Sequence, residues 1–250
     1  MKKAPLAIVA FLLVVNGLVG FTACASAVQP ATHTADQLID QAVVLLGGQP
    51  GADRIEPKRV RETALLEQAR AKLNQALAQD KSNSRALRVL ANVYVNLNEY
   101  VEALRLVNIA MDLDPNNAAT YSSRGTIHFL MKSLPDAEAD YRCSIELDST
   151  RPEAYFNLGT LLHHMGRTPE GEEYARKALK IDPTLGKAWF FLADKAALRN
   201  DLDAAIEMYT EGLRYDQGAA WAWKKLAELL EKRGRHKEAE QARDQARLTT

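Results

Sequence analysis

The sequence has no surplus of charge: 32 lysine and arginine residues balance 32 aspartate and glutamate, a formal net charge of +0. That removes the basic footprint by which nucleic-acid binding announces itself. No nucleic-acid partner is expected, while a protein partner is left open. Cysteine is nearly absent. Cys24 and Cys143 are too few for a disulfide framework, and Cys143 falls in the polar register of a helix, as an inert thiol would. There is no glycine-rich loop to cradle a phosphate, and no serine or cysteine stands at a suggestive spacing from a base. His163 and His164 are adjacent, so on a helix they point about 100° apart and cannot readily share a metal. His128 falls on a core position and reads as a packed, hydrogen-bonded side chain. The many Glu/Lys and Asp/Arg neighbours read as solvated helix faces. No catalytic residue, metal set or cofactor is expected, and an accessory enzymatic or weak metal-binding role is the least favoured reading.

What is present begins with a leader. Met1-Lys2-Lys3 is followed by an uncharged apolar run from Ala4 to Val15, and no charge returns until Asp36. This is the layout of a bacterial export signal. Ala25-Ser26-Ala27 is an A-x-A cleavage site, making 1–27 a signal and Val28 the first mature residue. Phe21-Thr22-Ala23-Cys24 is a competing lipobox with Phe in place of the usual Leu, and would make Cys24 a lipidated N-terminus. An uncleaved anchor is a third reading, since 4–23 just reach spanning length. The expected location is the bacterial cell envelope, either periplasmic or lipid-anchored to a membrane facing the periplasm. Residues 28–34 read as a flexible tether.

Beyond the leader the chain repeats itself. Asp80, Asp114, Asp148, Asp182 and Asp216 stand 34 residues apart, a separation at which repeat architectures are found. Each Asp falls where a helix should end, and Pro115 and Pro183 reinforce two of those stops. Pro135 and Pro169 open helices, where a missing N–H costs little. Asn98, Gly166, Asn200 and Gly234 share a hinge register that suits a left-handed residue, with Lys132 as the local departure. Between hinge and stop, apolar residues recur at helical spacing, as in Tyr155, Leu158, Gly159 and Leu162, then Gly171, Ala175 and Ala178. Neither helix can bury its stripe alone, so copies must stack.

The pattern resembles the tetratricopeptide repeat, W-x2-L-G-x2-Y, A-x3-F, P. Leu87, Leu90, Ala91, Tyr94, Ala103, Val107, Ala110 and Pro115 carry it in one copy. Tyr121, Gly125, Ala137 and Tyr141 carry it in the next, where Arg124 and His128 replace apolar residues. Trp189, Leu192, Ala193, Ala205 and Tyr209 carry it near the end. Trp223, Leu226, Ala227, Leu230, Ala239 and Ala246 follow, and Arg243 in place of an aromatic suits a solvent-facing cap. The resemblance implies an all-α fold, a right-handed solenoid of stacked antiparallel helix pairs. Five repeats are expected at 84–117, 118–151, 152–185, 186–219 and 220–250. Residues 35–83 read as a degenerate leading repeat, with helices from Ala35 to Leu46 and from Pro57 to about Asp80 around an enlarged loop.

In this family the first helix of each repeat lines a concave groove. By register, the resemblance places in it Arg85, Arg88, Asn92 and Asn96; Ser122, Thr126 and Phe129; Phe156, Thr160 and His163; Lys187, Phe190 and Asp194; Trp221 and Lys224. Aromatic anchors would dock apolar side chains of a partner, and its acidic end would meet Arg85 and Arg88. A clamp for a terminal carboxylate, known in relatives, matches at Arg88 and Asn92 but fails at Ser123 and Glu153. The expected function is a non-catalytic scaffold or adaptor binding another protein, with self-assembly as the alternative.

Overall fold

The 34-residue register becomes paired helices in the computed structural model, which describes residues 33–47 and 63–249. The expected signal, Cys24, most of the tether and Pro57 lie outside the described residues. Among the described residues there are twelve helices and no strand. The leading pair is α1 (Ala35–Leu45) and α2 (Thr63–Gln79). Five pairs follow: α3 (Ser84–Asn96) with α4 (Tyr100–Leu113), α5 (Ala118–Leu130) with α6 (Leu134–Leu147), α7 (Pro152–His164) with α8 (Thr168–Ile181), α9 (Gly186–Leu198) with α10 (Leu202–Tyr215), and α11 (Ala220–Lys232) with α12 (His236–Leu248). Each pair packs on the next through its second helix, and neighbouring first helices touch from α1 to α7. No helix among the described residues is long and apolar enough to cross a membrane.

The turns follow from a few side chains. Asn98, Lys132, Gly166, Asn200 and Gly234 all have positive φ, between 61° and 83°. At each, the next N–H reaches back five residues, as in Glu99 to the Tyr94 carbonyl and Arg167 to the Leu162 carbonyl at 2.8 Å. That closes the helix with a left-handed residue. Lys132 is therefore a departure in residue type and not in geometry. At the other end, the Asp148 and Asp182 carboxylates accept from the N–H two residues on and from the hydroxyls of Thr150 and Thr184. These Asx turns carry the chain into the next repeat. Residues 33–34, expected to belong to a tether, are held in place. Thr34 forms a capping box with Gln37, and Gln79 Nε2 donates to the His33 carbonyl at 2.9 Å.

Small residues set the helix spacing. Gly159 and Gly171 face each other, and a Cβ added to Gly159 would lie 2.6 Å from the Gly171 carbonyl oxygen. Most of the buried apolar residues form three clusters, spanning 38–127, 137–162 and 190–242. Polar seams separate them. In one, Asp140 (side chain 6% exposed) takes a two-pronged bond from Arg124 at 2.6 and 2.9 Å, with His128 Nε2 at 3.8 Å. In the other, buried Glu172 is bonded to Arg176 at 2.8 Å and to Arg199 across the repeat boundary. The expectation that the ionic neighbours are all solvated faces is corrected here. Asp140 and Glu172 are inside the stack, where an unpaired carboxylate would be costly and a paired one is tolerated.

Candidate functional site

The first helices of all five repeats, with the loops between repeats, enclose an open groove of about 960 Å³. The walls carry Phe129, Phe156 and Trp221, and its polar lining includes Asn92, Ser122, Thr126, Asn157 and Thr160. The hydroxyls of Thr126 and Thr160 donate to carbonyls four residues back, those of Ser122 and Phe156. Thr160 therefore presents its remaining lone pairs as an acceptor for a backbone N–H, whereas Thr126 Oγ1 already accepts from the Tyr141 hydroxyl at 3.1 Å.

The aromatic rings differ in how free they are. Trp221 is 52% exposed and stands edge-on to Phe190 at 5.1 Å and to Tyr209 at 6.4 Å. Phe156 is half-buried, with the Lys187 ammonium 5.2 Å from its centroid and Phe191 edge-on at 6.2 Å. Phe129 is half-buried beside the His164 ring at 5.1 Å. Phe190 lines the groove but is only 4% exposed and stacked on Tyr209 at 5.9 Å, so it is a buried floor and not a free anchor. The cause is Gly212, since a Cβ there would lie 2.5 Å from Phe190 Cε1. Burial, and then the bond to Asp194, pushes the Tyr209 phenol far up, so it stays a proton donor to Asp194 at 2.5 Å.

The expected cationic end does not line the groove. Arg88 is 2% exposed, inside the stack. Arg85 pairs with Asp40 at 2.7 Å and fastens the leading pair to the first repeat. Asn96 donates to the Asn92 carbonyl at 2.8 Å. None of these three lines the groove, and neither do His163, Asp194 or Lys224. Asn92, Ser122, Thr126, Phe129, Phe156, Thr160, Lys187, Phe190 and Trp221 do. Sequence reasoning missed the loop contribution of Arg151, Thr184 and Gly218. The repeating Asp stops marked those loops, although not their approach to the groove.

His163 faces the joint between the third and fourth repeats. Its Nε2 lies 2.7 Å from Lys195 Nζ and its Nδ1 lies 2.9 Å from Thr168 Oγ1. An ammonium only donates, so Nε2 accepts and the proton of the neutral ring sits on Nδ1. Burial, then the charge on Lys195 and the neighbouring His164, hold its pKa below the usual histidine value. Among the described residues no group of three or more His, Cys, Asp and Glu side chains is placed to hold a metal.

Stacked helix pairs around an open, aromatic-lined groove define a helical-repeat scaffold of the kind that mediates protein–protein interaction. The tetratricopeptide repeat family models match residues 65–124, 152–185 and 196–249, more than half of the sequence. The chain belongs to the tetratricopeptide repeat family. Among solved structures it is similar to pilF of Pseudomonas aeruginosa, at 20% identity and a TM-score of 0.64, over 86% of this chain and 89% of that one. It is also similar to TTC0263, a thermophilic TPR protein of Thermus thermophilus, at 14% identity and 0.66, over 79% and 99%. The APC/C hetero-tetramer Cut9–Hcn1 gives 15% and 0.70, over 89% of this chain and 41% of that chain. At these identities the likeness is one of fold. A comparison with curated protein sequences gives no match.

Proposed function

We propose that this protein is an exported, non-catalytic adaptor whose groove holds a segment of another envelope protein and helps assemble a complex there. The observation that carries the reading is the continuous groove, in which Phe129, Phe156 and Trp221 present apolar area between acceptor side chains. Docking one apolar side chain contributes roughly 1.5–3 kcal/mol. Two or three such anchors, after ordering costs, correspond to roughly micromolar binding, about −8 kcal/mol. With Arg88 buried in the stack and Arg85 paired to Asp40, no acidic terminus of the partner is required.

The leader supports the location. Mass spectrometry of the mature N-terminus distinguishes a diacylglycerol-modified Cys24 from a free Val28, and an unprocessed Met1 would remove both cleaved readings and leave the uncleaved anchor. A pull-down from envelope extract tests the groove with Phe156→Ala plus Trp221→Ala, which replaces one half-buried and one exposed ring of the groove wall and leaves Phe190 in the core. Loss of the same partner from the double variant, with its helicity unchanged, is expected. An identical partner set would count against the groove.

A further inference from the structure

We propose that the joint between the third and fourth repeats opens when His163 takes up a proton, widening the groove at Phe156. The proposal rests on the groove reading for its consequence alone, since the opening itself is a property of the free chain.

The joint is built unlike the others. Residues 93, 127, 161, 195 and 229 occupy one register, and four of them are Val93, Ile127, Leu161 and Leu229, all buried. The fifth is Lys195, just as buried at 9% exposed. The apolar clusters break here, between Leu162 and Phe190. A polar contact therefore stands where the other joints have apolar burial.

That contact exists in one protonation state only. Lys195 has no acceptor, so it meets His163 Nε2 only while that nitrogen carries a lone pair. Its ammonium also lies 5.0 Å from the Phe191 centroid. The charged groups facing the imidazole are few. From α7 there is His164, with ring centroids 5.7 Å apart. From α8 there is Glu172, with Arg176 on it, and Thr168 supplies the hydroxyl. From α9 come Lys195 and Arg199, the latter also on Glu172. One carboxylate already serves two guanidinium groups, so a protonated imidazole beside Lys195 has no counter-charge to itself. Like charges at such a distance in a half-buried site repel strongly. The repulsion is relieved by separating α7 from α9. Phe191, which contacts both the His163 ring at 5.7 Å and Phe156 at 6.2 Å, carries the movement to the groove wall. A packed joint with two arrangements converts so local a change into a shift of whole repeats.

The test uses spin labels on two exposed positions in repeats flanking the third, Ala139→Cys on α6 and Glu207→Cys on α10, in the full chain with Cys24→Ser and Cys143→Ser. Distances are measured by pulsed electron resonance at about pH 7.5 and about pH 5.5, either side of the ordinary histidine pKa. A longer, broader distribution at the lower pH is expected. His163→Gln, whose amide oxygen accepts from Lys195 without titrating, should hold the pH 7.5 distribution at both values. An unchanged wild-type distribution, or a His163→Gln response equal to wild type, overturns the proposal. No partner takes part, so failure of the groove reading leaves this outcome untouched, and the reverse also holds.

Discussion

Phe156 and Phe190 occupy the same place in successive repeats, yet one lines the groove wall and the other is its buried floor. The difference lies one layer beneath them. The register that holds Ala110, Ser144 and Ala178 has Gly212 in the fourth repeat, and the missing methyl is the space that Phe190 fills. Periodicity showed which residues share a face, while the depth of each depended on a small residue on another helix. Gly212→Ala should displace the Phe190 ring at a cost of about 1–3 kcal/mol, typical of overpacking, read as a lower urea midpoint with an unchanged slope. The same scale tests the hinge. A non-glycine residue held left-handed costs roughly 1–2 kcal/mol, and glycine's own entropic penalty returns about 0.5–1 of that. Lys132→Gly should therefore raise stability by about half a kcal/mol, and a loss of stability on urea titration would contradict the turn geometry assigned to it.

At the level of elements, the helix ends were legible because their chemistry is local. Asp stops, helix-opening prolines and left-handed hinges need only a few neighbouring residues, and the structure uses them where the register put them. The polar seams were harder to see. Arg124 stands in a register otherwise held by Leu90, Leu158, Leu192 and Leu226, so its oddity was visible, but Asp140 on the following helix was needed to explain it. The leading pair shows the same limit. Its amphipathic pattern announced two helices, whereas the Arg85–Asp40 and Lys72–Gln41 contacts that lock them are long-range. Removing one partner of a buried ion pair costs more than the pair contributes, because the survivor is stranded. Asp140→Ala should cost about 3 kcal/mol, near the lower end of that range, since Arg124 keeps 27% of its side chain exposed. Arg124→Leu with Asp140→Leu should recover most of the loss in the same thermal melt. A double variant as unstable as Asp140→Ala would show that the seam acts through shape.

At the scale of the molecule, the stack couples stability to pH in two steps. The His163 pKa is lowered in the folded chain, first by burial and then by Lys195, so below about 6.5 the unfolded chain binds this proton first. Its contribution is complete above that value and declines as pH falls through it toward the lower folded pKa. The lowered carboxyls of Glu102 and Glu231, bonded to Arg105 and Arg243, act later. Their contribution is present above the ordinary glutamate range and lost as pH falls below it. Melting temperatures recorded against pH should show a shallow decline beginning in the weakly acidic range, absent in His163→Gln, followed by a second decline common to both.

The central claim is that the groove receives a segment of another protein, and crosslinking in the living cell tests it most directly. A benzophenone amino acid placed at Phe129 should capture one defined partner, and the adduct should be lost when Trp221→Ala is added. The same probe at Glu173, exposed on α8 and absent from the groove lining, should capture nothing in common with it. Equal adducts from both positions, or none from Phe129, would contradict the account.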